Sequence, residues 1–366
     1  MTTRRDFIKT GTAAATGIFF CGCGFLHSAH AQQPARAALP VSVNGKRVKT
    51  IDVHAHCNFH EAGALLGEEG PRLQAGPING AQETFIDLKQ RLAAMDSQAV
   101  DMEILSINPF WYNRERDLAA QIVKVQNEKL AEFCAAHSDR FAAFASLTLQ
   151  APDLAVQELE TAVRKQGLKG AAIGGSVDSA DFSDARFHPV WAKAEELGVP
   201  LFIHPRGIPE LRKNRFTGNG WLDNTIGNPL DTTIALSHLI FEGTLDRFPG
   251  LKIIAAHGGG FLPDNADRAD HSCMVGPKGC NPDIQLKKKP TEYLKQIYFD
   301  SLVFTPEAIR HLAAQVGASQ IVLGSDYPYP WQLSPVDHIF ASTSLSDDEK
   351  TGILGRTAAK LFNFET

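Results

Sequence analysis

Short apolar runs alternate with stretches of helical period along most of this chain, and that alternation is its main structural signal. The runs lie at about 49–54 (KTIDVH), 101–107 (DMEILSI), 141–147 (FAAFASL), 168–174 (LKGAAIG), 199–204 (VPLFIH), 251–257 (LKIIAAH), 297–301 (IYFDS) and 320–326 (QIVLGSD). Between them, apolar residues recur at the spacing of amphipathic helices over 115–137, 151–166, 229–245 and 305–317, and a last helix is expected at about 346–362. Eight strand–helix units predict an α/β fold, a single (β/α)8 TIM barrel over 49–366 behind a lead-in at 32–48. An open doubly wound sheet is disfavoured, because no Gly-rich dinucleotide loop follows the first run.

The N-terminus follows another logic. Arg4 and Arg5 precede Phe7 and Lys9, a weakly apolar run extends from about Thr10 to Leu26, and Ala29-His30-Ala31 fits a small-residue cleavage site. Residues 1–31 therefore resemble a twin-arginine (Tat) export signal, which predicts a periplasmic protein. No apolar stretch of about twenty residues follows, so the mature form is expected not to be membrane-embedded. The chain of 366 residues carries 36 basic and 41 acidic side chains, a formal charge of −5. That balance argues against a nucleic-acid partner. Cys21 and Cys23 would leave with the signal. Of the four remaining cysteines, Cys273 and Cys280 lie close together in a stretch where an oxidising compartment permits either a bridge or free thiols.

In such a barrel, reactive groups gather where the strands end. The first run ends His54-Ala55-His56, the fifth His204-Pro205, the sixth His257-Gly258-Gly259-Gly260 and the eighth Gly324-Ser325-Asp326. His54 and His56 are two apart on a strand and share a face. With His204 and Asp326 they form a nitrogen and oxygen set suited to one Zn2+, with Mn2+ as a possible occupant. An open position on that ion would hold a water of lowered pKa, and His257 is left over to take its proton. Each part is weak alone, since a buried histidine is more often a satisfied core group and an Asp before Tyr-Pro opens turns. Their joint placement carries the reading.

The segments IDVHAH (51–56), FIHP (202–205), 229–260 ending in HGGG, PTEYLKQIYFDSLVF (290–304) and LGSDYPYP (323–330) resemble the amidohydrolase superfamily. They look most like the branch containing α-amino-β-carboxymuconate-ε-semialdehyde decarboxylase and related aromatic-acid decarboxylases. That resemblance implies one zinc on His54, His56, His204 and Asp326, with His257 and Asp326 handling the proton. It also implies that Arg268 binds a substrate carboxylate, in some relatives across a dimer interface, so a homodimer is expected. The carboxylated lysine of two-metal relatives is missing: the fourth run ends Ile173-Gly174-Gly175, and Lys169 sits at its start. Two departures bear on the substrate. Asn79 falls near the place of a second substrate arginine, which Arg72 could replace, and Arg206 stands where the semialdehyde enzyme has Trp.

The implied activity is non-oxidative decarboxylation of an aromatic or unsaturated, muconate-like carboxylic acid, held by Arg268 and Arg206. The alternative is hydrolysis or hydration, such as opening a lactone, on the same metal. A third reading is a periplasmic metal- or ligand-binding protein without turnover. Tyr327, Tyr329 and Trp331 are placed by Pro328 and Pro330 to stack on a planar substrate. His60 is a loop residue and His238 a helical one, both more easily read as solvated or packed than as ligands.

Overall fold

In the computed structural model each apolar run contributes a strand. Residues 40–75, 85–212 and 214–364 are described; the expected export signal, residues 32–39 of the lead-in and Asn79 lie outside them. A short antiparallel hairpin, β1 (Ser42–Val43) and β2 (Lys46–Arg47), comes first, inside the expected lead-in. There follow β3 (Ile51–His56), β4 (Met102–Ser106), β5 (Phe141–Ala143), β6 (Ala171–Ile173), β7 (Pro200–Ile203), β8 (Lys252–Ala255), β9 (Ile297–Asp300) and β10 (Ile321–Val322). Strands β3 to β5 form one parallel arc and β6 to β10 another, each in chain order.

Two seams join the arcs. Ala145 bridges to Ala171, and Ala55 bridges to Tyr327. Across the second seam the Val53 amide donates to the Leu323 carbonyl at 2.9 Å and the Asp326 amide to the His54 carbonyl at 2.8 Å. The arcs therefore close into a TIM barrel of eight parallel strands. Most strands are shorter than their apolar runs, although β3 extends to His56; beyond Ala143, β5 keeps the single bridge at Ala145.

Alternate strand residues face opposite sides, as the pleat requires. Val53, Ile104, Phe144, Phe202, Ile254 and Val322 fill the barrel, and Leu361 and Phe362 pack beneath them. Leu105, Ile173, Ile203, Ala255 and Phe299 face outward into the layer under the helices. Helices Arg116–Ala136, Pro152–Gln166, Gly227–Phe241 and Pro306–Val316 occupy the places their periodicity predicted. The last expected helix differs. It is helix Asp347–Thr351, a π-helical turn Gly352–Arg356 and helix Thr357–Phe362. Within that turn a Cβ on Gly355 would stand 1.9 Å from the Lys49 carbonyl oxygen, so the backbone itself abuts the chain leading into β3.

Cys273 and Cys280 are joined by a disulfide, their Cα atoms 5.7 Å apart, while Cys57 and Cys134 are free thiols. Among the described residues no helix is long and apolar enough to cross a membrane.

Candidate active site

The residues singled out at the strand ends converge. One ligand atom from each of His54, His56, His204 and Asp326 lies within 4.8 Å of all the others, and all four residues are buried. A bulge prepares this. Pairing of β3 with β4 shifts register between Asp52 and Ala55. Val53 fills the barrel interior, and its neighbour His54 also reaches an interior residue, its ring 5.0 Å from that of Phe202. Adjacent residues of a regular strand could not share a side in this way. His54 and His56 then meet with their Nε2 atoms 3.0 Å apart.

Their outer nitrogens are anchored. Nδ1 of His54 donates to Oδ2 of Asp300 at 2.6 Å, and Nδ1 of His56 lies 3.0 Å from the Ser106 hydroxyl. Behind β3, Arg91 donates to the His56 carbonyl at 2.9 Å and to Glu103 at 2.6 Å, both charges buried. Asp52 accepts from the His54 amide at 3.0 Å and from the Ser325 hydroxyl. Such partners fix ring orientation and tautomer in metal sites.

Inner atoms of His204 and Asp326 are not satisfied by the described residues. Neither ring nitrogen of His204 has a hydrogen-bond partner. Oδ1 of Asp326 lies 3.1 Å from Nε2 of His54 and 2.8 Å from Nε2 of His56, yet no donor is aligned on it. Buried polar atoms left open cost stability, so this convergence calls for a cation. Protonation points the same way. Burial pushes His204 well below the usual histidine range, helped by the neighbouring imidazoles, and takes His56 down to about 4. Neutral imidazole is the ligating form. His54 moves upward to about 10: burial opposes this, but the carboxylates of Asp326 and Asp300 outweigh it. Two buried carboxylates around one imidazole demand positive charge, which a divalent ion supplies as well as a proton. Three imidazoles and one carboxylate suit Zn2+ or Mn2+.

His257 completes the group, with its Nε2 at 3.6 Å from Oδ2 of Asp326 and its side chain 17% exposed. His257 and Asp326 both have left-handed backbone, φ 56° and 64°. That conformation costs on the order of 1 kcal/mol for such residues. It is held at His257 by the amide donating to Asp300 at 2.9 Å, and at Asp326 by the bond to the His54 carbonyl. Gly324 sits where a Cβ would come 2.9 Å from Cβ of Asp300 and 3.0 Å from Cβ of His54, so a side chain there would spread the cluster.

The cluster opens into a cavity of about 340 Å³, large enough for a one-ring substrate. Arg206, Tyr329 and Trp331 line it with His56, His204, Asp326 and His257. The Arg206 guanidinium lies 5.1 Å over the Tyr112 ring, and its chain fits against Gly174, where a Cβ would be 3.0 Å from its Cδ. The carboxylate of Asp231 is spent on the Arg206 amide at 2.9 Å and makes no ion pair with the guanidinium.

Other expected residues go elsewhere. Arg268 is exposed on helix Ala266–Val275, outside the cavity lining. Tyr327 is turned away from the cavity and buried against Arg91, whose Cζ lies 4.9 Å from its ring, so it offers no face to a substrate. The bridge from Tyr327 to Ala55 explains this, because it makes Tyr327 part of the barrel wall. His60 stacks on Phe85, and His238 pairs with Glu242 and Asp181. Lys169 reaches over Phe364, near the C-terminal segment. Asp300, the residue that ties His54 to His257, was not singled out in the sequence, although it is the acidic end of an otherwise apolar strand.

The chain belongs to the amidohydrolase family, which residues 51–364 match. It is 31% identical over 281 residues to a 2-amino-3-carboxymuconate-6-semialdehyde decarboxylase of Dictyostelium discoideum, covering 75% of this chain and 76% of that one. The solved 5-carboxyvanillate decarboxylase of Sphingomonas paucimobilis superposes with a TM-score of 0.78 at 25% identity, over 87% of this chain and 100% of the other. A dihydroxybenzoic acid decarboxylase from Polaromonas, solved with manganese and the inhibitor 2-nitroresorcinol, shares the fold with a TM-score of 0.71 at 24% identity, over 86% and 97% of the chains. These relatives are decarboxylases by name.

Proposed function

We propose that this protein is a metal-dependent decarboxylase of an aromatic or muconate-like carboxylic acid. The observation that carries the reading is the cavity floor, where four ligands meet with His257 beside them and Arg206, which has no ion pair among the described residues, in the wall. The names of the relatives favour carbon–carbon cleavage over hydrolysis on this donor set.

A divalent ion held by His54, His56, His204 and Asp326 supplies Lewis acidity toward oxygen atoms of the substrate. The residues of the chain do the rest. Arg206 pairs with an acidic group of the substrate as a charge-assisted contact. Tyr329 and Trp331 border the ring plane. The bond from ring carbon to carboxylate breaks, its electron pair stays on the carbon, and CO2 leaves. His257 delivers the proton that replaces it, assisted by Asp326, and regains one from solvent through its exposed edge. Asp300 and Asp52 position His54 throughout.

The same reading extends to export and assembly. The twin arginines and the Cys273–Cys280 bridge support a periplasmic protein whose signal is removed near Ala31. Arg268, exposed on the same helix as Met274 and Val275, which are 73% and 78% exposed, supports a homodimer in which that helix serves the partner's site.

Gas-phase CO2 detection tests the chemistry. Metal-loaded protein is incubated with pooled hydroxybenzoates, vanillate-type acids and muconates. CO2 released by the native protein but not by His257→Asn is expected. Stoichiometric metal with no CO2 from any acid would remove the reading and turn the search to lactones and esters.

A further inference from the structure

His257 stands at the junction of two compartments. On one side is the cavity holding the ligand cluster and Arg206. On the other is an annex of about 150 Å³ whose wall includes Pro229, Leu302, Phe304 and Trp331. The two share His257, Trp331, Asn224 and Asn228, so the annex adjoins the cavity.

Its aromatic residues are organised without being buried. Trp331 stacks on Trp221 at 5.9 Å with 15° between planes, and Phe304 tilts against Trp331 at 6.2 Å. Phe304 remains 60% exposed. Other large aromatic residues, such as Trp111, Trp191 and Phe299, are fully buried. An apolar wall left open beside the reacting centre gains by covering itself with hydrocarbon.

We propose that the annex receives an apolar substituent of the substrate, so that the preferred acid is an alkyl- or aryl-substituted aromatic one. Its carboxylate faces His257 and the ligand cluster, and its substituent lies against Leu302, Phe304 and Trp331. The placement of the carboxylate rests on the decarboxylase reading; the annex itself does not. The volume holds roughly five groups of methylene or water size, at about 30 Å³ each, which sets the length at which the benefit ends.

The test is a binding series on full-length protein loaded with Mn2+. Hydroxybenzoates bearing hydrogen, methyl, ethyl, propyl and butyl are titrated, and binding is followed by quenching of tryptophan fluorescence. Two of the four tryptophans, Trp221 and Trp331, line the cavity. Affinity is expected to rise about fourfold per added carbon until the annex is full. Phe304→Ala should cut that rise to less than twofold per carbon, whatever its absolute affinity. Because Phe304 is exposed, its loss leaves the core packing in place, and Trp331→Leu gives an independent second variant. A flat series in the native protein, or a slope that neither variant changes, overturns the proposal. A rising series that both variants flatten, with no CO2 from any member, upholds the annex and removes the decarboxylase reading.

Discussion

Asp300 accepts the Nδ1 proton of His54 at 2.6 Å while the same oxygen accepts the His257 amide at 2.9 Å. One carboxylate thus sets both the tautomer of a ligand and the strained backbone of the residue assigned to proton delivery. Its other oxygen takes the amides of Gly258 at 2.8 Å and Leu302 at 3.0 Å. Burial alone would raise its pKa, but the bond with His54 and the nearby His257 hold it below the usual carboxylate range. Asp300→Asn keeps an acceptor for the amides but loses the negative charge behind His54. A loss of about 10–100-fold in metal affinity is expected. Competition with a chromophoric chelator measures it, and an unchanged affinity would show that Asp300 serves the fold only.

Much of this site was legible because polar residues ending apolar runs stand out against their neighbours. His54, His56, His204, Asp326 and His257 all did so, and the structure brings them together. Asp300 escaped notice because one acid at a strand end resembles any helix-capping or turn residue until its partners are known. The direction of Tyr327 was hidden for a different reason. It depends on a bridge to Ala55, more than 270 positions away, which no local pattern reports. The bulge in β3 was equally invisible, since strict alternation already placed His54 and His56 together. Arg268 is a different case: the resemblance implies a substrate contact, and the chain's own fold leaves it exposed outside the cavity lining.

Metal removal should destabilise the native protein. A ligand at a hundred times its Kd contributes about 2.7 kcal/mol to folding, so chelation should lower Tm by several degrees. His204→Leu separates this from packing. In metal-free protein the variant replaces two buried, unpartnered nitrogens with hydrocarbon and is expected to be neutral or stabilising. With metal added it should gain nothing. Calorimetry on the four combinations decides, and an equal metal response in both proteins would exclude His204 as a ligand.

Asp231 gives a pH dependence of stability. Burial raises its carboxyl from 3.8 to about 6, against the lowering effect of the Arg206 and Gly207 amides. Below about pH 4 this group is protonated in both states and contributes nothing. Between about pH 4 and pH 6 only the unfolded chain ionises, so stability falls as pH rises, by roughly 3 kcal/mol in total. Above that window the penalty is constant. Asp231→Asn removes the titration, so its stability relative to the native chain should improve between pH 4 and pH 7. Urea unfolding at the two pH values reads this difference, and a variant that keeps the native pH slope would contradict it.

Arg206 provides the sharpest test of the substrate contact. Its guanidinium is stacked on Tyr112, lines the cavity and has no carboxylate partner among the described residues, whereas Arg212 in the same cavity lies 3.3 Å from Asp223. A charge-assisted bond contributes about 1.5–3 kcal/mol, so Arg206→Met should raise KM for an acidic substrate by roughly 10–100-fold. Arg206→Lys keeps the charge but loses the planar fork and the stacking, and should fall between the two. Metal content should not change in either variant, because Arg206 touches none of the four ligands through its side chain. A fall in kcat with KM unmoved would instead place Arg206 in the chemical step, and equal KM values in all three proteins would remove it from substrate binding.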